Sequence, residues 1–275
     1  MRVEACCTEL LRQMLPTLDP QREGVCIDVG VGTFAFYCEM FAQLGFRSVA
    51  VEPLPVAKLR RLCAQYPIQL IESCLSDQTG TQPFYAGEFA RIGNANFNSL
   101  APDWFGSSQN TQLVPTLSLP DLLGAIAPPA ITCLKLDIEG WESVVIQQLA
   151  DLPAAQLPKV TMFEYGGGAN QQAGTKGWSP EFLAGTLRCL TTLQQRGYGQ
   201  SIMVDYSHGT QARIFDLQAQ DLSTTDLFPP EAVYGNIISL QGCHFSEAAI
   251  AQICSRYAGG VVNWFISKLV SAPVN

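Results

Sequence analysis

Apolar positions recur at helical spacing from Glu4 to Leu15, and Pro16 and Pro20 close that segment. The pattern then changes character. Val25-Cys26-Ile27-Asp28-Val29 is an apolar run interrupted by one acid. A strand covered on both faces needs no polar alternation, so this run predicts a buried strand. It opens at once into Gly30-Val31-Gly32, and helical spacing returns over Thr33–Leu44. A strand follows over Arg47–Val51, a helix over Val56–Tyr66 and a strand over Ile68–Ile71. Pro53 and Pro55 suit the first turn of that helix, where a missing N–H costs nothing. Strand and helix alternating at this spacing predict a parallel sheet with right-handed crossovers.

Residues 72–120 break the rhythm. Short β-like runs at Thr81–Tyr85 and Gln112–Thr116 flank a polar loop, Gly93–Leu100. A loop of that length in a compact domain points to function or mobility. Ser118 is placed to cap a helix over Leu119–Ile126. Ile131–Asp137 is the fourth main strand, followed by a helix to about Leu149; Lys159–Phe163, ending at Glu164, is the fifth. The glycine-rich span Gly166–Ser179 precedes a helix over Pro180–Arg196. Closing strands are expected at Ser201–Val204, Arg213–Leu217 and Asn236–Leu240, at least one antiparallel. Ser246 should cap a helix to about Tyr257, and Val261–Val270 reads as a last apolar helix. Nothing divides the chain cleanly. The expectation is one domain over 1–275, with an N-terminal helix (1–20), a core (24–240) and a C-terminal helical segment (245–275).

Composition narrows the picture. Apolar residues make up 47% of 275 and charged residues 15%. The first figure allows a sizeable core. The second lies well below the roughly one quarter usual in globular chains, so the surface leans on Gln, Ser and Thr or is partly covered. Net charge is −8. The one basic cluster, Lys58-Leu59-Arg60-Arg61, is short and sits on an expected helix face. Nucleic-acid binding rests on basic surface and is disfavoured. The ten cysteines include no Cys-x-x-Cys and lie mostly in apolar runs, the usage of reduced core thiols in a cytoplasmic protein. No run approaches eighteen apolar residues, and Met1-Arg2-Val3-Glu4 does not begin a secretory signal. No membrane partner is expected. Val261–Val270 could cover a second copy, which leaves a homo-oligomer open.

Candidate chemistry concentrates at the strand ends. Gly30 and Gly32 let the backbone turn sharply and approach a ligand. Glu52 ends the second strand about twenty residues on, where an acid can hold a ribose diol. The third glycine of the dinucleotide fingerprint is missing: Phe34 and Ala35 stand near its place, which argues against a pyrophosphate. A ligand with a ribose and a cationic or zwitterionic group suits these residues, and S-adenosylmethionine is one. The alternative is a tight turn that binds nothing, but two acids at strand ends cost solvation without a partner. Ligands of open parallel sheets sit beyond the carboxyl ends of the strands. Four expected ends carry Asp28, Glu52, Asp137 and Glu164, and Glu139 lies just past the fourth strand. Such acids can hold the cationic and hydroxyl parts of a nucleoside. They can equally take a proton from an acceptor hydroxyl, or hold a divalent metal through oxygen. No His-rich spacing supports zinc. Lys135 leaves the same face of its strand as Asp137, as a structural ion pair or as part of the site. His208, in the polar loop Asp205–Gly209, is a further candidate base; His244 reads as a cap or surface residue.

Several blocks together resemble the FkbM family of S-adenosylmethionine-dependent methyltransferases. They are Val25–Phe36, Val51-Glu52-Pro53, Leu75-Ser76-Asp77 with Gly80, Asn98-Ser99-Leu100, Thr116-Leu117 and Leu134–Glu142. The most distinctive is Lys135-Leu136-Asp137-Ile138-Glu139-Gly140-Trp141-Glu142. The resemblance covers about residues 24 to 165. It departs from the family at Gly32, where Asn is usual, and at Phe34, where a third glycine is usual. It implies an α/β, Rossmann-like class I methyltransferase fold: a mostly parallel seven-stranded sheet, helices on both faces, one antiparallel strand. It implies O-methylation, often of a sugar or polyketide hydroxyl. It places Asp28, Gly30 and Gly32 at the cofactor's amino-acid end, Glu52 at its ribose, Cys74 and Leu75 near its adenine and Asp137 near the methyl, with Thr33 and Pro53 as further cofactor-binding residues.

Methyl transfer is in-line displacement at a sulfonium carbon, which needs alignment and a base. The candidate bases are Asp137, Glu139, Glu164 and His208. The acceptor is expected to be a small molecule or glycan, recognised through residues 86–115 and 165–235. Two rivals remain: an NAD-type oxidoreductase, which the missing third glycine disfavours, and a non-catalytic binding protein that keeps the fold.

Overall fold

The computed structural model describes residues 2–89, 92–104, 107–166, 180–206, 211–224, 226–228, 232 and 234–258. The elements run α1 (Arg2–Leu18), β1 (Val25–Val29), α2 (Phe36–Gln43), β2 (Arg47–Val51), α3 (Ala57–Gln65), β3 (Ile68–Ile71), β4 (Cys74–Leu75), β5 (Gly80–Phe89) and β6 (Ile92–Gly93). They continue with β7 (Ser107–Leu117), α4 (Leu119–Ile126), β8 (Ile131–Leu136), α5 (Glu142–Ile146), β9 (Val160–Gly166) and α6 (Pro180–Gln195). The last are β10 (Tyr198–Asp205), β11 (Gln211–Asp216), β12 (Tyr234–Gln241) and α7 (Glu247–Ser255).

Five strands lie parallel in the order β9-β8-β1-β2-β3. β12 joins antiparallel to β9, β10 antiparallel to β12, and β11 antiparallel to β10. The main sheet is therefore eight-stranded and mostly parallel, not seven-stranded with a single reversal. The difference is β11, which pairs along β10 from Gln200↔Asp216 to Asp205↔Gln211 and adds an edge strand. Both β11 and β12 run against the rest.

Helices cover both faces. Val25, Ile27 and Val29 of β1 join a core with residues of α4, α5 and α6. Cys26, pointing the other way, joins a core with α1, α2 and α7. This two-sided burial is why the β1 run carries no alternation. All ten cysteines are free thiols; eight are buried, and Cys63 and Cys243 are half-buried. Among the described residues no helix is long and apolar enough to cross a membrane.

Some boundaries differ from expectation. Ala35 takes a left-handed conformation (φ 58°), so α2 begins at Phe36 and residues 32–34 form a turn. α1 runs through Pro16, which falls in its last turn. Glu164 lies within β9, not at its end. The short runs expected near 81–85 and 112–116 are the paired ends of longer strands: β5 and β7 pair antiparallel from Gly80↔Thr116 onward. With β4 and β6 they form a second, four-stranded sheet. Cys74, Phe84, Leu100 and Val114 make a small core against Trp141, so this sheet stands beside the carboxyl end of β8. His208 and Val261–Val270 lie outside the described residues.

One buried ion pair pins the centre of the main sheet. Lys135 Nζ in β8 sits 3.0 Å from Asp28 Oδ1 in the neighbouring strand β1. It also donates to the Gly30 carbonyl at 3.0 Å. Removing one partner of such a pair leaves an uncompensated buried charge. Lys135→Met is expected to lower the unfolding free energy by about 3–5 kcal/mol, and the Asp28→Asn/Lys135→Met double variant to regain part of it. Denaturant titration measures both; a Lys135→Met protein as stable as the parent would remove the pair from this role.

Candidate active site

The glycine turn after β1 passes directly against the tip of β8. A Cβ on Gly30 (φ +72°) would lie 1.8 Å from the Asp137 carbonyl oxygen, so only glycine fits there. Gly30 N donates to Val51 O at 3.0 Å and Asp137 N to Val29 O at 3.1 Å, which ties the ends of β1, β2 and β8 together. Glu52 fastens the rest of the turn: its Oε2 accepts from Gly32 N at 2.9 Å and its Oε1 from Leu54 N at 3.1 Å.

A cavity of about 390 Å³ opens beyond these tips. That is within the roughly 300–1,000 Å³ range of small-molecule sites. Its walls include Asp28, Gly30, Gly32, Glu52, Pro53, Cys74, Leu75, Asp137, Glu139 and Glu164, so the strand-tip acids do share one edge. Thr33 is not among them; its N–H and Oγ1 turn to Asn96 Oδ1 at 3.0 and 2.9 Å. Asp28 reaches the cavity floor with 1% of its surface exposed. Its Oδ2 accepts from Cys38 N in the first turn of α2 at 2.9 Å, and its Oδ1 holds Lys135. Its carboxylate is thus engaged inside the protein rather than free for a ligand. Asp28 sits one residue inside β1, on the Cys26 side of the strand.

Three carboxylates crowd the far end. Asp137, Glu139 and Glu164 each offer an oxygen within 4.8 Å of the others. Glu139 is left-handed (φ 55°). Its carbonyl accepts from Ser99 Oγ and its Oε2 from Trp104 Nε1, each at 2.6 Å. Glu142 braces the same loop by accepting from Ile138 N at 2.8 Å and Gly140 N at 3.0 Å. Glu164 Oε2 is buried and has no hydrogen-bond partner among the described residues. Lys135 lies 3.5 Å from Asp137 Oδ2.

Burial, then Asp137 nearby, drives the Glu139 carboxyl well up; burial, then Glu139 and Asp137, does the same to Glu164. Burial pushes Glu142 up to about 7. Burial works against the charge of Lys135, but Asp28 and Asp137 outweigh it and its pKa is raised. Oxygen donors in this arrangement can accept a proton or surround a hard divalent cation.

Four further lining residues come from parts of the chain that sequence reasoning passed over: Glu4, Tyr37, Tyr206 and Tyr234. Glu4 Oε2 accepts from Tyr37 Oη at 2.5 Å and Oε1 from Asn236 Nδ2 at 3.0 Å. The Tyr206 and Tyr234 rings stack at 4.3 Å. Glu4 carried a readable signal, since it shares the helical stripe of Cys7, Leu11 and Met14, which are all buried. The tyrosines carried none locally.

Raised carboxyls fix the sign of the pH response. Glu142 supports the fold fully below its ordinary value of 4.5, and that support is lost as pH rises through about 7. Glu4, Glu139 and Glu164 shift the same way. Melting temperature of the ligand-free protein is therefore expected to fall between pH 5 and 8, and Glu142→Gln to flatten that fall. A melting temperature rising over this window would contradict the assignment.

Residues 24–199 match the family profile described as the Methyltransferase FkbM domain. No curated protein matches the chain. The matched span holds the glycine turn, Glu52, Asp137, Glu139 and Glu164, while α1 and β12 lie outside it. With well over half its length matched, the chain belongs to the FkbM methyltransferase family.

Proposed function

We propose that the protein is an S-adenosylmethionine-dependent O-methyltransferase acting on a hydroxyl of a small molecule or glycan. We read the fold as the Rossmann-like class I arrangement, with β11 as an added edge strand and the whole chain acting as one unit. The observation that carries this reading is the convergence of Glu52, Asp137 and Glu164 on one cavity floored by the glycine turn. The buried, unpartnered Glu164 Oε2 supports it further, since an orphaned carboxylate oxygen calls for a ligand. Free core thiols support a reducing, cytoplasmic setting.

The residues present fit the cofactor. When bound, it supplies an electrophilic methyl on a sulfonium. Glu52 and Pro53 would face the ribose, and Cys74 and Leu75 the adenine. Gly30 and Gly32 would offer close backbone approach to the amino-acid end. Asp28 acts by holding α2 and Lys135. Asp137 would stand at the methyl end, oriented by Lys135. Burial and the neighbouring acids raise the carboxyls of Glu139 and Glu164, which makes each a stronger base for the proton that must leave the acceptor hydroxyl. Glu164 Oε2 has free acceptor capacity for it. Trp104 fixes the Glu139 side chain and leaves Glu164 the less constrained of the two.

S-adenosylhomocysteine is expected to bind the protein in calorimetry, and Glu52→Ala to weaken that binding at least about tenfold, the cost of losing a charge-assisted contact. No binding at millimolar ligand, or tight NAD binding instead, would overturn the reading. Glu164→Gln is expected to lower methyl transfer from labelled S-adenosylmethionine to a panel of polyhydroxylated acceptors by about 10²–10⁴, with S-adenosylhomocysteine affinity unchanged. Full transfer in that variant would exclude Glu164 as the base.

A further inference from the structure

The polar stretch between β6 and β7 lies over the glycine turn. Asn94, Asn96, Phe97 and Asn98 line the same cavity as Gly32 and Glu52. On one side the stretch is folded tightly onto the second sheet. Asn94 N donates to Gly87 O at 2.8 Å, Asn98 Oδ1 accepts from Gly87 N at 2.7 Å, and Asn94 Oδ1 accepts from Asn96 N at 3.1 Å. Tyr85 and Ser99 exchange both backbone hydrogen bonds beneath it. On the other side an amide oxygen of the stretch reaches the glycine turn. Asn96 Oδ1 accepts from Thr33 N at 3.0 Å and from Thr33 Oγ1 at 2.9 Å. The chamber measures about 390 Å³ with this contact made.

We infer that Asn94–Asn98 roofs the cofactor chamber and that Asn96, fastened to Thr33 beside the glycine turn, is the positioning residue that sets how fast the nucleoside enters and leaves. The inference rests on the cofactor reading proposed above. The fastening consists of two hydrogen bonds between neutral groups, each of modest net strength, so it opens without unfolding the domain. Gly93, exposed and with open space where a Cβ would stand, offers backbone freedom at the foot of the loop.

The test uses the full chain and S-adenosylhomocysteine as probe. Stopped-flow displacement, read through Trp141 in the cavity wall, gives its dissociation rate. Asn96→Ala is expected to release the probe about tenfold faster, the size of losing two neutral hydrogen bonds. Thr33→Val, which keeps the backbone donor, should give a smaller acceleration in the same direction. Hydrogen exchange on the parent protein should show amides 94–98 gaining protection when the probe binds, with no variant needed. If the parent binds the probe but Asn96→Ala and Thr33→Val release it at the parental rate and 94–98 gain no protection, the roof is excluded and the cofactor reading stands. If the parent binds no probe at all, the cofactor reading fails and takes this inference with it.

Discussion

The ammonium of Lys135 sits 3.0 Å from Asp28, 3.0 Å from the Gly30 carbonyl and 3.5 Å from Asp137, with the Tyr37 ring 5.1 Å away. Taking such a charge out of water is costly, and only close, well-formed partners offset it. Those partners belong to β1, the glycine turn and the end of β8, so satisfying one cation fixes all three relative to each other. The turn can then present Gly32 to Glu52, and Asp137 is held facing the cavity. Around the same chamber stand Glu4, Glu52, Glu139 and Glu164 as well. One lysine cannot balance so many carboxylates. Burial raises the pKa of all four, so each holds its proton more readily than an exposed carboxyl does.

Two sheets divide the work. The main sheet delivers strand tips, and its stiffness comes from burial on both faces. The second sheet has a small core of its own and sends Leu75 of β4 into the main one. It leans on Trp141 and reaches the site through a few polar contacts: Ser99 and Trp104 on Glu139, Asn96 on Thr33. Glu139 keeps its left-handed backbone because both its carbonyl and its carboxylate are held from that side. Preorganisation of the acid cluster thus depends on a sheet that is not part of the central fold.

Legibility followed the range of the forces involved. β1, β2 and β8 were readable because burial on both faces writes itself into consecutive residues, and Glu52 and Asp137 were readable as the residues that end those runs. Asp28 was readable as an acid near the end of β1, but its ion pair with Lys135 and its bond from Cys38 N come from other elements and left no local mark. The start of α2 was misjudged because Ala35 adopts a backbone conformation that its side chain does not announce. β5 and β7 were underestimated because their length comes from pairing with each other across the loop, a non-local gain. Tyr206 and Tyr234 come together with Glu4 only after the chain has closed its sheet, so no local pattern could show them.

Glu4 comes from a helix that lies before the stretch this chain shares with its family, and Asn236, its partner, from a strand that lies after it. The chamber is therefore walled partly from inside the matched stretch and partly from outside it. Substitutions in α1 or β12 can reshape the second wall while the Lys135 pin and the glycine turn stay as they are. A fragment trimmed to the shared boundaries would keep every strand-tip acid but lose the wall that closes the chamber on that side.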